Sequence, residues 1–121
     1  MGKKGDEVVR AMGAFGGGLG GNGEVCGAAI GALGVLGLRF SRGREEEIED
    51  PKMWAFTHEL LKRFREEIVP KHSGILCREI AGVNWTDREQ ARNFYKGEKA
   101  LECRRIVGDT ARLIGELLER G

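Results

Sequence analysis

The 121-residue chain has little proline, little histidine and no surplus of either charge. Two prolines exclude a collagen-like rod or a proline-rich linker. Lys plus Arg number 20 and Asp plus Glu 19, a formal net charge of +1. The basic surplus of a dedicated nucleic-acid binder is therefore missing, and nucleic acid is not an expected partner. No apolar run reaches the roughly 20 residues that cross a bilayer. The longest, Val25 to Leu38, has about 14 residues and predicts a buried helix and no membrane span. Charges in Met1-Gly2-Lys3-Lys4-Gly5-Asp6-Glu7 interrupt any apolar signal core. Three cysteines cannot all pair within one chain, and a domain of this size folds without disulfides. These features predict a cytoplasmic protein with reduced or redox-active thiols. A composition 40% hydrophobic and 32% charged excludes disorder, and the length fits one domain over residues 1–121.

What the chain does have is glycine: 20 in all, 13 of them in the first 37 residues. Asp6 to Phe15 predicts a short helix, broken by Gly16-Gly17-Gly18-Leu19-Gly20-Gly21-Asn22-Gly23 because a glycine run loses too much backbone entropy to stay helical. A second helix is expected from near Glu24 to about Arg42. Gly27, Gly31 and Gly34 share one of its faces at i, i+4 and i+7. Each interior glycine costs roughly 1 kcal/mol against alanine, which close approach of another backbone or a ligand would offset. Gly27 and Gly31 are accordingly the candidate cofactor-binding positions.

Asp50 and Pro51 suit the start of a third helix. Met53, Phe56, Leu60, Phe64 and Ile68 recur along it at helical spacing, and Pro70 ends it. Ser73 is the expected cap of a short helix running through Cys77 to about Ala81, closed by Gly82. Thr86-Asp87-Arg88-Glu89 matches a capping box and opens a helix to about Lys96. The last helix is expected over about Glu98–Arg120, with Cys103, Val107, Thr110, Ile114 and Leu117 on its inward stripe. No alternating run predicts a strand. The fold class is all-α, a compact bundle of about five helices around the glycine-rich one.

Chemistry falls to the sulfurs. Cys26 sits at the predicted start of the glycine-rich helix, where exposed N–H groups and the helix dipole favour a thiolate and lower its pKa. Cys77 opens the short helix, and Cys103 lies on the apolar stripe of the last one. A bundle brings such positions together, so Cys26, Cys77 and Cys103 are the candidate catalytic residues and the candidate thiolate ligands. Their spacings of 51 and 26 residues match no zinc ribbon, zinc finger or ferredoxin pattern. His72, five residues before Cys77, is the candidate fourth ligand. His58 reads as a surface residue, Glu45-Glu46-Glu47 as a solvated run, and Trp54 and Trp85 as packing residues. The glycine run lacks a Walker Lys-Ser/Thr and follows no strand, which argues against nucleotide binding.

Phe15-Gly16-Gly17-Gly18, then Cys26-Gly27-Ala28-Ala29-Ile30-Gly31, then Gly34 and Gly37-Leu38, resemble the redox-active protein family named for its C_GCAxxG_C_C cysteine pattern. The name writes Gly-Cys-Ala where this chain reads Cys26-Gly27-Ala28. Cys77-Arg78-Glu79-Ile80, and Cys103 followed by Val107, resemble that family's third and fourth cysteines. The resemblance covers roughly residues 14–118. It implies a small helical protein with a redox or metal-related role. The family's first cysteine, in a helix upstream of the glycine loop, has no counterpart before Cys26. The expectation is a shortened first helix and no four-thiolate site within one chain. Three thiolates with another ligand, one disulfide plus a free thiol, or a site completed by a partner stay open.

Three readings follow. The first is a thiol redox or electron-transfer protein in which Cys26 attacks and Cys77 or Cys103 resolves, working with a redox partner protein. The second is a carrier of iron, zinc or an iron–sulfur cluster on the three cysteines. The third is a structural or partner-binding helical module with core cysteines and no catalysis. Apolar surface left by the shortened helix also points to a homodimer.

Overall fold

The computed structural model describes residues 5–121. The first four residues, on which part of the signal-core reading rests, lie outside the described residues. Most of the described chain is helical, and no strand occurs among the described residues. The elements are α1 (Asp6–Met12) with a tighter turn at Gly13–Phe15, α2 (Gly16–Leu19), α3 (Gly27–Phe40), α4 (Lys52–Arg63) widening into a π turn at Phe64–Ile68, α5 (Cys77–Ile80), α6 (Arg88–Phe94) and α7 (Glu98–Arg120). No helix among the described residues is long and apolar enough to cross a membrane.

The glycine run breaks the helical path as its composition predicts. Gly17 and Gly18, nominally inside α2, take φ of 60° and 69°, and Gly20, Gly21 and Gly23 are also left-handed. The next helix starts three residues later than expected. Val25 pairs with Leu76 in an isolated antiparallel bridge, and the Cys26 N–H donates to the Ile75 carbonyl at 2.9 Å. That pairing holds the chain extended up to Cys26, so α3 begins only at Gly27.

The core forms where α3 meets α4 and α7. Ala29, Ala32, Leu36 and Phe40 of α3 bury against Phe56, Leu60, Phe64 and Ile68 of the α4 segment, and against Ile106, Leu113, Ile114 and Leu117 of α7. Phe64, Leu36, Leu60 and Leu117 are fully enclosed; truncation of such a side chain to alanine costs about 2–5 kcal/mol. Thr110 is buried beside them, its hydroxyl donating to the Ile106 carbonyl at 2.7 Å. Val107 is not part of this stripe: it is 57% exposed. Ile106, one residue back and about 100° around the helix, takes the inward position instead.

Two caps differ from expectation. Ser73 does not begin a helix, because residues 75–77 are drawn out to meet residues 24–26; its hydroxyl donates to Glu79 at 3.1 Å. α5 starts at Cys77 and is capped by Glu79, whose carboxylate accepts the Leu76 N–H. In α6 the cap is Asp87, which accepts from the Glu89 and Gln90 amides at 3.0 and 3.1 Å. Thr86 turns back to Asn84.

Candidate functional site

The bridge between Val25 and Leu76 places the first two cysteines. Cys26 donates its N–H to Ile75, and the Cys77 N–H donates to the Glu24 carbonyl at 2.6 Å. Cys26 and Cys77 thus stand diagonally across one antiparallel pair. Such positions have Cα atoms about 7–8 Å apart and side chains on the same face. Each thiol lies where its chain turns from extended into helical, Cys26 as the cap residue of α3 and Cys77 as the first residue of α5. Cys103 lies on α7, near enough for thiolate charge on Cys26 and Cys77 to be felt there, but the three are not gathered closely. All three thiols are free and half-buried.

The glycine run packs directly beneath this site. Glu24 and Gly23 donate N–H groups to Gly18 and Gly17, at 2.9 and 3.1 Å, and Arg78 donates its backbone N–H to Gly23 at 3.1 Å. Gly18 is buried, and a Cβ there would stand 2.6 Å from the Cys77 Cβ. Gly17 and Gly21 lie against Trp85, whose Nε1 is buried without a hydrogen-bond partner. Trp85 stacks edge-on to Phe94 with ring centres 4.9 Å apart. It packs, as expected.

The two expected glycine positions differ from one another. Gly27 meets the backbone: its Cβ would lie 3.5 Å from the Phe15 carbonyl. A Cβ at Gly31 would meet nothing within 4 Å. At 3.5 Å the Gly27 contact is ordinary van der Waals packing, so close backbone approach requires glycine at neither position.

The thiol electrostatics reverse one expectation. Burial pushes the Cys26 thiol above its ordinary pKa; the Ala28 and Ala29 amides do hydrogen-bond the sulfur and favour the thiolate, but they do not outweigh desolvation. Cys26 also packs against the hydrophobic core. Burial pushes Cys103 up as well, followed by the nearby Cys26, Cys77 and Glu102, with Lys99 opposing. His72 turns to a carboxylate, its Nε2 3.6 Å from Glu102 Oε1. Among the described residues no group of three or more His, Cys, Asp or Glu side chains is gathered closely enough to hold a metal ion.

Sequence reasoning missed Gly18, Glu24 and the Ile75-Leu76 segment. The positive φ and burial of Gly18 depend on what passes over it. A two-residue bridge leaves no alternating pattern to read. The only available signal was the apolar Ile75-Leu76 pair immediately before Cys77.

No curated protein and no solved structure matches the chain. Residues 1–117 match a protein family described as Putative redox-active protein (C_GCAxxG_C_C). With a family match over nearly its whole length, the chain belongs to the C_GCAxxG_C_C redox-active protein family.

Proposed function

We propose that the protein is a thiol redox carrier in which Cys26 and Cys77 cycle between dithiol and disulfide, with Cys103 as a third sulfur within reach. The observation that carries this reading is the diagonal placement of Cys26 and Cys77 across the Val25–Leu76 bridge. A disulfide wants Cα atoms within about 7 Å, and the diagonal of an antiparallel pair is about 7–8 Å. Closure needs a shift on the order of 1 Å in the short 73–76 segment. Oxidation takes two electrons and two protons from the two thiols and hands them to an acceptor disulfide, which leaves as two thiols. The acceptor is carried by a redox partner protein or a small molecule. Cys26 packs against the hydrophobic core, so it is assigned the resolving role and the first attack falls to a less enclosed sulfur.

Mild oxidation with diamide, followed by peptide mapping, tests the reading. The expected product is a Cys26–Cys77 link with one thiol remaining. Three free thiols after oxidant would sink it.

A second reading, a partner-binding helical module, is favoured by the core packing of Cys26 and by open space at Gly31 on α3. In that reading α3 is the middle of a helical bundle and its glycine face joins two copies into a cytoplasmic homodimer. It expects replacement of all three cysteines by serine to preserve assembly and Gly31→Leu to break it, measured as molecular mass in solution.

A further inference from the structure

A cleft of 340 Å³ lies between the end of α5 and the start of α7. Ala81, Gly82, Gln90, Asn93, Glu98 and Lys99 contribute to its lining. No cysteine lines it, but two of its lining segments lead along the backbone to cysteines. Ala81 and Gly82 come about one helical turn after Cys77, and Lys99 comes one turn before Cys103. Four residues of α-helix rise about 6 Å, and helical side chains lean toward the N-terminus, so Cys103 leans toward the Lys99 turn. Lys99 is held over Gly82, where a Cβ would stand 2.5 Å from its Nζ. Among the described residues Lys99 makes no ion pair. The cleft thus offers one uncommitted cation, one carboxylate on Glu98 and the Asn93 and Gln90 amides, with Lys99 one helical turn from the half-buried Cys103.

We propose that this cleft binds a small disulfide of an amino-acid or peptide thiol, with its carboxylate on Lys99 and its ammonium on Glu98, and delivers its sulfur to Cys103. The proposal rests on the thiol redox reading above and names its small-molecule substrate class. The Cys103 thiolate attacks the ligand disulfide; a Cys103–ligand bond forms and the other half leaves as a thiolate that takes up a proton. The Cys77 thiolate then displaces the second half, giving Cys77–Cys103. Attack by Cys26 on the Cys77 sulfur frees Cys103 and leaves Cys26–Cys77. Two protein thiols are oxidised and one ligand disulfide is reduced to two thiols.

The test uses the full chain as Cys77→Ser, which stalls the relay at the mixed disulfide. The probes are glutathione disulfide, which carries both charges, and hydroxyethyl disulfide, which carries neither. Adduct formation is followed by intact mass and located by peptide mapping. The expected adduct is on Cys103. Lys99→Gln, added to Cys77→Ser, slows both probes by removing a cation near Cys103 but slows glutathione disulfide about fivefold more, the scale of an exposed charge pair. Arg104→Gln, the same charge change next to Cys103 but outside the cleft lining, leaves both probes within about twofold. An adduct on Cys26, or equal slowing of both probes by Lys99→Gln, overturns the proposal. If diamide still links Cys26 to Cys77 in the unaltered chain, that result removes only the cleft as a docking site. If diamide forms no link, the redox reading itself falls.

Discussion

Gly18 and Cys77 interlock: a Cβ added to the glycine would stand 2.6 Å from the cysteine's Cβ, and 2.6 and 2.7 Å from the Glu24 nitrogen and oxygen. Those Glu24 atoms are themselves engaged. The N–H donates to the Gly18 carbonyl, and the carbonyl accepts the Cys77 N–H. The glycine run is therefore a saddle under the thiol site, and it couples the backbone of residues 16–24 to the start of α5.

Gly18→Ala is expected to destabilise the protein by about 3 kcal/mol or more. It combines a left-handed backbone, costly for any L side chain, with overlap against backbone atoms that cannot swing away. Chemical denaturation measures the loss, and a drop below about 1 kcal/mol would contradict the Gly18–Cys77 interlock.

Gly31→Ala should act in the opposite direction. Its Cβ meets nothing within 4 Å, and the residue lies inside α3 in helical conformation. Alanine there removes a helix-propensity cost of about 0.5–1 kcal/mol. A melting-temperature rise of a few degrees is the expected result for a domain of this size.

Stability should fall on the alkaline side because of Cys26. Its folded pKa lies above the ordinary thiol value because burial disfavours the thiolate. Past about pH 8.5 the unfolded chain releases this proton while the folded chain keeps it. The folded state then binds more protons, and stability declines with rising pH until the folded group titrates too. Urea midpoints at neutral pH and near pH 10 should differ less in Cys26→Ala than in the unaltered chain.

Acid acts through Glu102. Arg105 beside it, with a smaller contribution from His72, holds its carboxyl at about 2. A depressed carboxyl stabilises the fold above the ordinary value near 4.3, and that contribution is lost as pH falls from there toward 2. The pair is solvent-exposed, so salt screens it and the effect on stability is small. The sharper measurement is the Glu102 carboxyl titration by NMR. Its midpoint should rise toward 4 in Arg105→Ala and stay near 2 in Arg112→Ala, whose contact is to Asp109.

Elements whose signals are local could be read directly from the chain. Met53, Phe56, Leu60, Phe64 and Ile68 mark the α4 segment because a buried stripe must recur every three to four residues. The bounds of α7, from Glu98 to Arg120, follow from the glycines flanking it. The glycine run excludes a regular helix on its own because its entropy cost belongs to those residues alone.

Tertiary structure decided the rest. Residues 24–26 meet residues 75–77 across some fifty positions of chain, and that meeting moved the start of α3, removed the Ser73 cap and set Cys26 diagonally from Cys77. The direction of the Cys26 pKa depended on a sum. Its amide donors are local and foreseeable, while the desolvation that exceeds them comes from core side chains brought in by folding. Local chemistry sets which conformations each segment tolerates; burial and pairing between segments are properties of the assembled chain, so only the assembled chain could show which of those conformations the thiols occupy.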